Sequence, residues 1–440
     1  MKTIHKLLAL ALCLTLLCGA VSATMRETGT SGLKLADEVT YTHTSWSNDQ
    51  KEGQYLQEHT LTYTAGGAVR PMVVYGNTLY GRSPMNYTAK FLEDKDLVLV
   101  AGVNGSFFDM STGIPYGFLV TDGVLRTSGN VNSVGFFKNG SAIIASPDLH
   151  VLLTGGAFSD TEIFYNKVLT TTNGIGLYSR DYDTATKNTV SAYNLVLKPV
   201  SGSDSELTLS GEMTLEVTKI TQSAASCAIP AGGFVLSIAE KTSYASVLAN
   251  MKAFKVGDRV TVSVRCADEW EDVAYACGGG DLLVEDESAL ENFTLDTRNE
   301  QRARTAIGIK PDGTVVIYTA DESANSAGMD LYDLADMMES LGCETALNLD
   351  GGGSTTFVAK QEGSDTLTVV NRPSDGYERS VSSSLMVVST APVSTEFDHA
   401  LITSAYDYLT VGTALPLAAS GVSMSGSAAE LPADITWRSA

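Results

Sequence analysis

The feature that most constrains the fold is a rhythm of short apolar runs interrupted by Asn-Gly, Asp-Gly and Ser-Thr-Gly, as in DLVLVAGVNGSFFDM, YGFLVTDGVLRTSG and SVGFFKNGSAIIA. Asn-Gly and Asp-Gly tolerate the positive φ angles of tight turns, so this punctuation predicts β-hairpins. Residues 24–100 alternate β-branched or aromatic residues with polar ones, as in HTLTYT and RPMVVYGNTLYGR. Residues 190–270 do the same in LTLSGEMTLEVTKI, GGFVLSI and VGDRVTVSV. One stretch departs from the rhythm. In GMDLYDLADMMESLGC, Leu331, Leu334, Met338 and Leu341 share a helical face, Asp330 caps the start and Gly342 stops it. The expected fold class is therefore α+β: mixed β-sheets with a few packed helices, followed by the start of a β-sandwich module.

A chain of 440 residues exceeds the usual size of one core, which predicts roughly two to three domains. Residues 1–23 read as a secretory signal peptide: Lys2 and Lys6 precede an apolar run from Leu7 to Leu17, and Val21, Ser22 and Ala23 supply small residues for cleavage. Leu17 before Cys18 lacks the small residue of a lipoprotein site, so a secreted, extracellular or wall-associated protein is expected. No later run is long enough to cross a bilayer, and no membrane insertion is expected. A β-rich region is read at 24–94, a catalytic domain at 95–390, and a linker with a partial module at 391–440. That tail, ending in ITWRSA, resembles the first part of a bacterial immunoglobulin-like module and has too few residues for a complete sandwich.

Loss of Lys2 and Lys6, the charged residues of the signal, takes the formal net charge from −22 to −24. Such a surface argues against nucleic acid and anionic lipid as partners, and an anionic substrate would have to be met by a local cluster of arginines. Cys227, Cys266, Cys277 and Cys343 remain in the mature chain without C-x-x-C spacing, and their three possible pairings stay open.

The stretch ALNLDGGGSTTFVA, residues 346–359, carries a single acid, Asp350, into three glycines. A P-loop needs Lys and then Ser or Thr after its last glycine, and a dinucleotide fingerprint needs G-x-G-x-x-G opening a helix. Gly351, Gly352, Gly353, Ser354 and Thr355 satisfy neither, which sets nucleotide binding aside. Consecutive glycines can still form an anion nest of backbone N–H groups, or a plain hairpin turn. Asp350 favours a site, because three residues without side chains leave its carboxyl accessible. Asp350 follows the strand ETALNLD and Asp321 follows TVVIYTAD, so both acids stand at strand ends, where side chains can converge on a cleft.

Asn104 and Asp109, in VNGSFFDMSTGIPYG, offer an amide and a carboxylate beside aromatic surface, a composition suited to sugar hydroxyls. Alone, Asn104-Gly105 reads equally as a turn and Phe107-Phe108 as core. Arg298, Arg302 and Arg304 of TRNEQRARTAIGI stand out in a chain short of base, and guanidinium holds phosphate oxygens bidentately. Arg298 and Arg302 read as a solvated turn, whereas Arg304 runs into a strand and is aimed at a fixed place. Glu378 and Arg379 repeat that logic in RPSDGYERSVSSSLMVV, with a structural ion pair as the competing account. His43, His59, His150 and His399 lie in no motif, and no G-x-S-x-G elbow accompanies them. Metal-ligand spacing is lacking, although Asp350, Asp109 and Asn104 together could hold a hard divalent cation. No cofactor is required.

Together, VNGSFFDMSTGIPYGFLVTDGVL, RARTAIGIKPDGTVVIYTAD and LADMMESLGCETALNLDGGGSTTFV resemble the phosphodiester glycosidase family, in the same motif order, over residues 95–390. The resemblance implies hydrolysis of the bond between a sugar's anomeric carbon and a phosphodiester, freeing the sugar and leaving a phosphomonoester. It places Asn104, Arg304, Asn348, Asp350, Gly351, Gly352, Gly353 and Ser354 on the family's motif positions. Ser106 stands where the motif commonly has a second glycine, and Asp321-Glu322 where Asp-Gly is frequent.

The catalytic set expected on this basis is Asp350 as base or nucleophile with Arg304 and Asn104. Arg304 and Arg379 are assigned to the phosphate, Asn104 and Asp109 to the sugar, and Asn348, the three glycines, Ser354, Asp321 and Glu378 to substrate binding. Phosphate leaves readily when donors stabilise it, and the oxocarbenium-like sugar is carboxylate work. The expected partner is a glycosyl-phosphodiester substrate or a wall polysaccharide. Two rival readings are a non-catalytic wall or polysaccharide-binding protein and a phosphodiesterase that cuts the P–O bond.

Overall fold

The computed structural model describes residues 25–36, 38–49, 54–93, 97–364, 366–404, 410–434 and 436. The expected signal peptide and most of the ITWRSA stretch lie outside the described residues. Two sheets packed face to face carry the body of the molecule. In the eight-stranded sheet Val39–Asn48, Tyr55–Tyr63, Val315–Ala320, Arg304–Ile309, Thr345–Asn348 and Leu282–Glu285 are successive neighbours. The five-stranded sheet has the order Leu367–Val369, Phe357–Lys360, Val98–Asn104, Ser383–Ser389, Val69–Tyr75. Residues from the first seventy or so positions are thus built into both sheets beside strands from the far end of the sequence.

Alternation along each strand assigns its two faces. Ile307, Val315, Ile317 and Leu347 point inward and meet Val73, Val103, Phe357, Leu385 and Val387 of the other sheet in one buried core. Their neighbours Ala306, Val316, Tyr318 and Ala320 point outward and are covered by helix α3 (Leu331–Ser340), through Leu331, Leu334, Ala335 and Met338. Helix α1 (Met85–Glu93) covers the outer face of the five-stranded sheet in the same way, with Met85, Ala89 and Leu92 against Leu99, Met386 and Val388.

Residues 150–265 close into a seven-stranded barrel whose interior holds Val151, Leu153, Ile163, Leu177, Leu195, Leu215, Leu236 and Val262. Closure depends on antiparallel pairing of His150–Gly155 with Arg259–Arg265. Helix α2 (Ala245–Lys252) lies on the link between the last two barrel strands. A further five-stranded sheet joins 119–145 to Tyr275–Gly278. Beyond it in sequence, Phe397–Ser404, Leu417–Ser423 and Ala428–Ala429 form a three-stranded sheet, tied to the body where Lys360 Nζ donates to Ser427 Oγ at 2.6 Å.

The expected class, α+β with packed helices, is overturned. Among the described residues strands take 46% and helices 8%, so the protein is mostly β, with a closed barrel. The physical reason is that strand alternation looks the same in an open sheet and a barrel, since closure is a pairing between segments far apart in sequence. Helices α1 and α2 leave no clear periodic signal, and the first of them is secured from a distance: Glu378 accepts the Met85 N–H at 2.5 Å. Helix α3 is where its pattern predicts. Asp330 accepts from the N–H groups of Tyr332 (3.0 Å) and Asp333 (2.9 Å), and Gly342 takes φ +80° after the last turn.

The hairpins at Asp122-Gly123 and Asn139-Gly140 also form as the turn residues predict. Asn104-Gly105 does not fold back; Asn104 ends its strand and the chain runs on into the site. All four described cysteines, Cys227, Cys266, Cys277 and Cys343, are free. Among the described residues no helix is long and apolar enough to cross a membrane.

Asp330→Ala removes the acceptor for two N–H groups at the start of α3, and should lower the unfolding free energy by about 1 kcal/mol. Urea denaturation of the full chain measures this directly, and an unchanged midpoint would remove the cap from the account.

Candidate active site

Asp350 stands where the chain changes sheets. It follows Thr345–Asn348 of the eight-stranded sheet, and the glycines after it lead to Phe357–Lys360 of the five-stranded sheet. Each glycine answers a different steric demand. A Cβ on Gly351 would sit 3.0 Å from Ala303 O, Gly352 has φ +60°, and a Cβ on Gly353 would lie 1.9 Å from Arg379 Nη2. Two of their N–H groups are spent within the protein: Gly351 donates to Asp350 Oδ1 (2.9 Å) and Gly352 to Ala303 O (2.7 Å). The turn is a clearance for neighbours more than an anion nest.

Asn104 lies under this turn, fully buried. Its Nδ2 donates to the Asp350 carbonyl, while its Oδ1 accepts from Thr305 Oγ1 (2.8 Å) and Thr356 N–H (3.2 Å). The Asp350 N–H donates to Gly105 O at 3.2 Å, and Leu349 N–H to Thr305 O at 2.9 Å. Asn104 therefore touches protein on both ends of its amide and fixes the backbone that carries Asp350.

Asp350 is partly buried. Burial raises its pKa to about 6, against the opposing pull of Ser354, the Gly351 N–H and the Arg379 charge. Arg379 is locked as a fork on Asp375, with Nε to Oδ2 at 2.8 Å and Nη2 to Oδ1 at 3.0 Å, and its guanidinium lies over Gly353. A bidentate pair fixes the plane as well as the position of the charge.

Around Asp350 the buried polar groups are poorly matched. Both amide atoms of Asn348 and the hydroxyls of Ser106, Ser354, Thr356 and Ser382 are buried without a hydrogen-bond partner. The Ser354 hydroxyl is near enough to favour the ionised carboxyl, yet it forms no hydrogen bond of ordinary geometry. Each such group costs about 1–3 kcal/mol, and several of them lie along segments that touch Asp350 and Asn104.

Other residues singled out in the sequence fall elsewhere. Arg304 is buried and spends three donors on carbonyls: Nε on Met329 (2.9 Å), Nη2 on Thr297 (2.7 Å) and on Glu300 (2.8 Å). It shapes the segment before its own strand. Asp321, 3% exposed, accepts from Asn371 Nδ2 (3.0 Å) and Arg372 N–H (2.8 Å), and so anchors the loop that brings Arg379 to Gly353. Glu378 serves the start of α1. Asp109 closes its own turn, where hydrogen bonds from the Ser111 hydroxyl and from the Ser111 and Thr112 N–H groups hold its carboxyl below the usual range. Arg302 pairs with Glu300 at the surface. Among the described residues no group of three His, Cys, Asp or Glu side chains could hold a metal ion.

A second glycine triplet escapes motif reasoning. A Cβ on Gly279 would meet Leu347 at 2.6 Å, and one on Gly280 would meet the Phe107 ring at 3.0 Å and Asn348 Nδ2 at 3.5 Å. These glycines let Asn348 and Phe107 pack beside the crossover. The signal was present as GGGD at 278–281, a near mirror of the DGGG at 350–353. His59, likewise in no motif, is buried against Tyr41 (Nδ1 to the hydroxyl, 2.7 Å), with Nε2 3.6 Å from Asp321.

With this geometry in hand, the chain resembles the phosphodiester glycosidase family: residues 209–388 match that family's model. The match takes in Arg304, Asp321, Asn348, Asp350, the glycines, Ser354, Glu378 and Arg379, while Asn104 and Asp109 precede it. Among curated relatives are the N-acetylglucosamine-1-phosphodiester alpha-N-acetylglucosaminidases of Mus musculus and Homo sapiens, 30% and 38% identical over 110 residues. Those residues are 23% of this chain and 20% of the length of each relative. A prophage-derived protein of Bacillus subtilis is 41% identical over 90 residues, 20% of this chain and 13% of its own. Two solved structures share the fold. A protein from Synechocystis has a TM-score of 0.65 at 17% identity, covering 82% of this chain and 64% of the other. One from Burkholderia pseudomallei has a TM-score of 0.62 at 15% identity, covering 84% and 98%.

Because the folded pKa of Asp350 lies above its ordinary value of 3.8, the folded state prefers the protonated carboxyl. Its contribution to stability is greatest below that ordinary value and is lost as pH rises to about 6. Asp350→Asn should therefore raise the denaturation midpoint relative to wild type at pH 7.5 and not at pH 3.5, as measured by thermal unfolding of both proteins. A variant destabilised equally at both would show that the carboxyl is not held against its solvation.

Proposed function

We propose that the chain is a hydrolase of glycosyl phosphodiesters, acting outside the cytoplasm on surface or wall glycopolymers. The observation that carries this reading is Asp350: a carboxyl that titrates near neutrality, under the guanidinium of Arg379 and within a wall of unpartnered polar side chains. The family resemblance over 209–388 agrees with it, as do the names of the mammalian relatives, which act on N-acetylglucosamine 1-phosphodiesters. The signal-like residues 1–23 support secretion.

In this mechanism the bond between the sugar's C1 and the phosphate oxygen breaks, and its electron pair leaves with the phosphate. Asp350 supplies the carboxylate. As base it takes the proton of a water that adds to C1; as nucleophile it forms a glycosyl ester that water then cleaves. Arg379 steadies the phosphate, a leaving group good enough to need no strong acid. Asn348 and Ser354 hydrogen-bond the substrate. Asn104, Arg304 and Asp321, whose polar atoms are engaged with protein, position the carboxyl and the loops instead of touching the sugar.

Since Asp350 must be ionised, activity should rise with pH through about 6 and level off above it, the value set by burial of that carboxyl. A profile that falls through the same pH would make Asp350 a proton donor. Asp350→Asn should lower kcat on the methyl diester of N-acetylglucosamine 1-phosphate at least a hundredfold or so with its circular dichroism unchanged. Hydrolysis in ¹⁸O-labelled water should place the label in the sugar; label in phosphate would establish a phosphodiesterase cutting the P–O bond. Binding of the diester without turnover would favour a polysaccharide-binding protein.

A further inference from the structure

We propose that Tyr116 is the aromatic platform on which the sugar ring of the substrate is seated, and that Lys167 is the residue that holds it in place. The inference rests on the hydrolase reading for the identity of the ligand alone. Tyr116 is 60% exposed, while the backbone beneath it is held by hydrogen bonds on both sides. Its N–H donates to Phe107 O at 2.9 Å, and Pro115 bridges to Phe108, so residues 107–116 form a narrow hairpin. That hairpin rises from Gly105, whose carbonyl accepts the Asp350 N–H.

Glycines crowd the base of the platform. A Cβ on Gly129 would lie 2.6 Å from Tyr116 O, and one on Gly117 would lie 2.6 Å from the Gly278 Cα. Lys167 completes the clamp from the barrel side. Its Nζ donates to the carbonyls of Pro115, Tyr116 (3.0 Å) and Gly117 (2.8 Å), using all three ammonium protons on one turn. Burial pushes this ammonium down to about 7, while the three carbonyls hold its protons. Burial, then the charges of Asp109 and Asp350, push the Tyr116 hydroxyl up, which sets the ring within electrostatic reach of both acids.

A pyranose offers a face of C–H groups to the negative face of an aromatic ring, with its hydroxyls turned to polar partners at the edge. An aromatic side chain on a fixed backbone loses little freedom when it stacks, so binding of the ring carries a small ordering cost. The arrangement accordingly seats the sugar against Tyr116, with its anomeric carbon toward Asp350.

The test uses the full-length protein and the methyl diester of N-acetylglucosamine 1-phosphate, alongside calorimetric titration with free N-acetylglucosamine and, separately, with methyl phosphate. Tyr116→Ala should raise KM for the diester and weaken sugar binding by roughly fivefold to tenfold, with methyl phosphate binding unchanged. Tyr116→Phe should retain both values. Lys167→Met should reproduce the KM effect of Tyr116→Ala with a smaller effect on kcat, the split that distinguishes loss of positioning from general damage. Unaltered sugar binding in Tyr116→Ala, or no sugar binding in wild type, overturns the platform. Sugar binding that depends on Tyr116 in a protein that does not cleave the diester leaves the platform standing and removes the hydrolase reading.

Discussion

One buried amide holds the site together. Asn104 ends the central strand of the five-stranded sheet, and its side chain reaches Thr305 of the eight-stranded sheet, the Asp350 carbonyl and the Thr356 N–H. With donor and acceptor both satisfied, the amide is stable in the interior. Any displacement of one sheet against the other would strand several polar groups at once, each costing about 1–3 kcal/mol. The backbone that carries the carboxyl is therefore fixed by hydrogen bonds, and Oδ1 of the carboxyl itself accepts the Gly351 N–H.

The electrostatics follow from that arrangement. In a chain with a formal net charge of −22, the Arg379 charge acts on Asp350. Asp375 orients Arg379, Gly353 lets it approach, and the Asp321–Asn371 pair fastens the loop that bears it. Burial and the arginine pull the Asp350 carboxyl in opposite directions, and burial wins. The outcome is a carboxyl whose pKa is raised to about 6.

Much of this was legible in the residues. Asp330 and Gly342 delimit helix α3 because capping and left-handed termination are local chemistry, and the turns at Asp122-Gly123 and Asn139-Gly140 fold for the same reason. The stretch from Asn348 to Ser354 drew attention because an acid followed by three glycines has few bland explanations. Less legible was the division of labour. Arg304 and Arg379 look alike in sequence, each entering a strand, yet one spends its donors on the carbonyls of Thr297, Glu300 and Met329 while the other lies over the glycine turn. Asn104-Gly105 carries a hairpin signature and forms none, because the amide finds long-range partners that outweigh the local preference. Tyr116 lies within a recognised stretch, but its partner Lys167 belongs to no motif, and their meeting joins segments fifty residues apart.

The sequence alone determined the strand-rich rhythm, the one strongly periodic helix, the acidic surface and the residues around Asp350, since each depends on neighbours a few positions away. Only the tertiary structure decided that residues 150–265 close into a barrel, that α+β gives way to a mostly β body, and which polar side chains are engaged with protein. Those outcomes rest on pairings between distant segments and on the burial of particular carboxyl and amide groups. Local pattern contains no term for either.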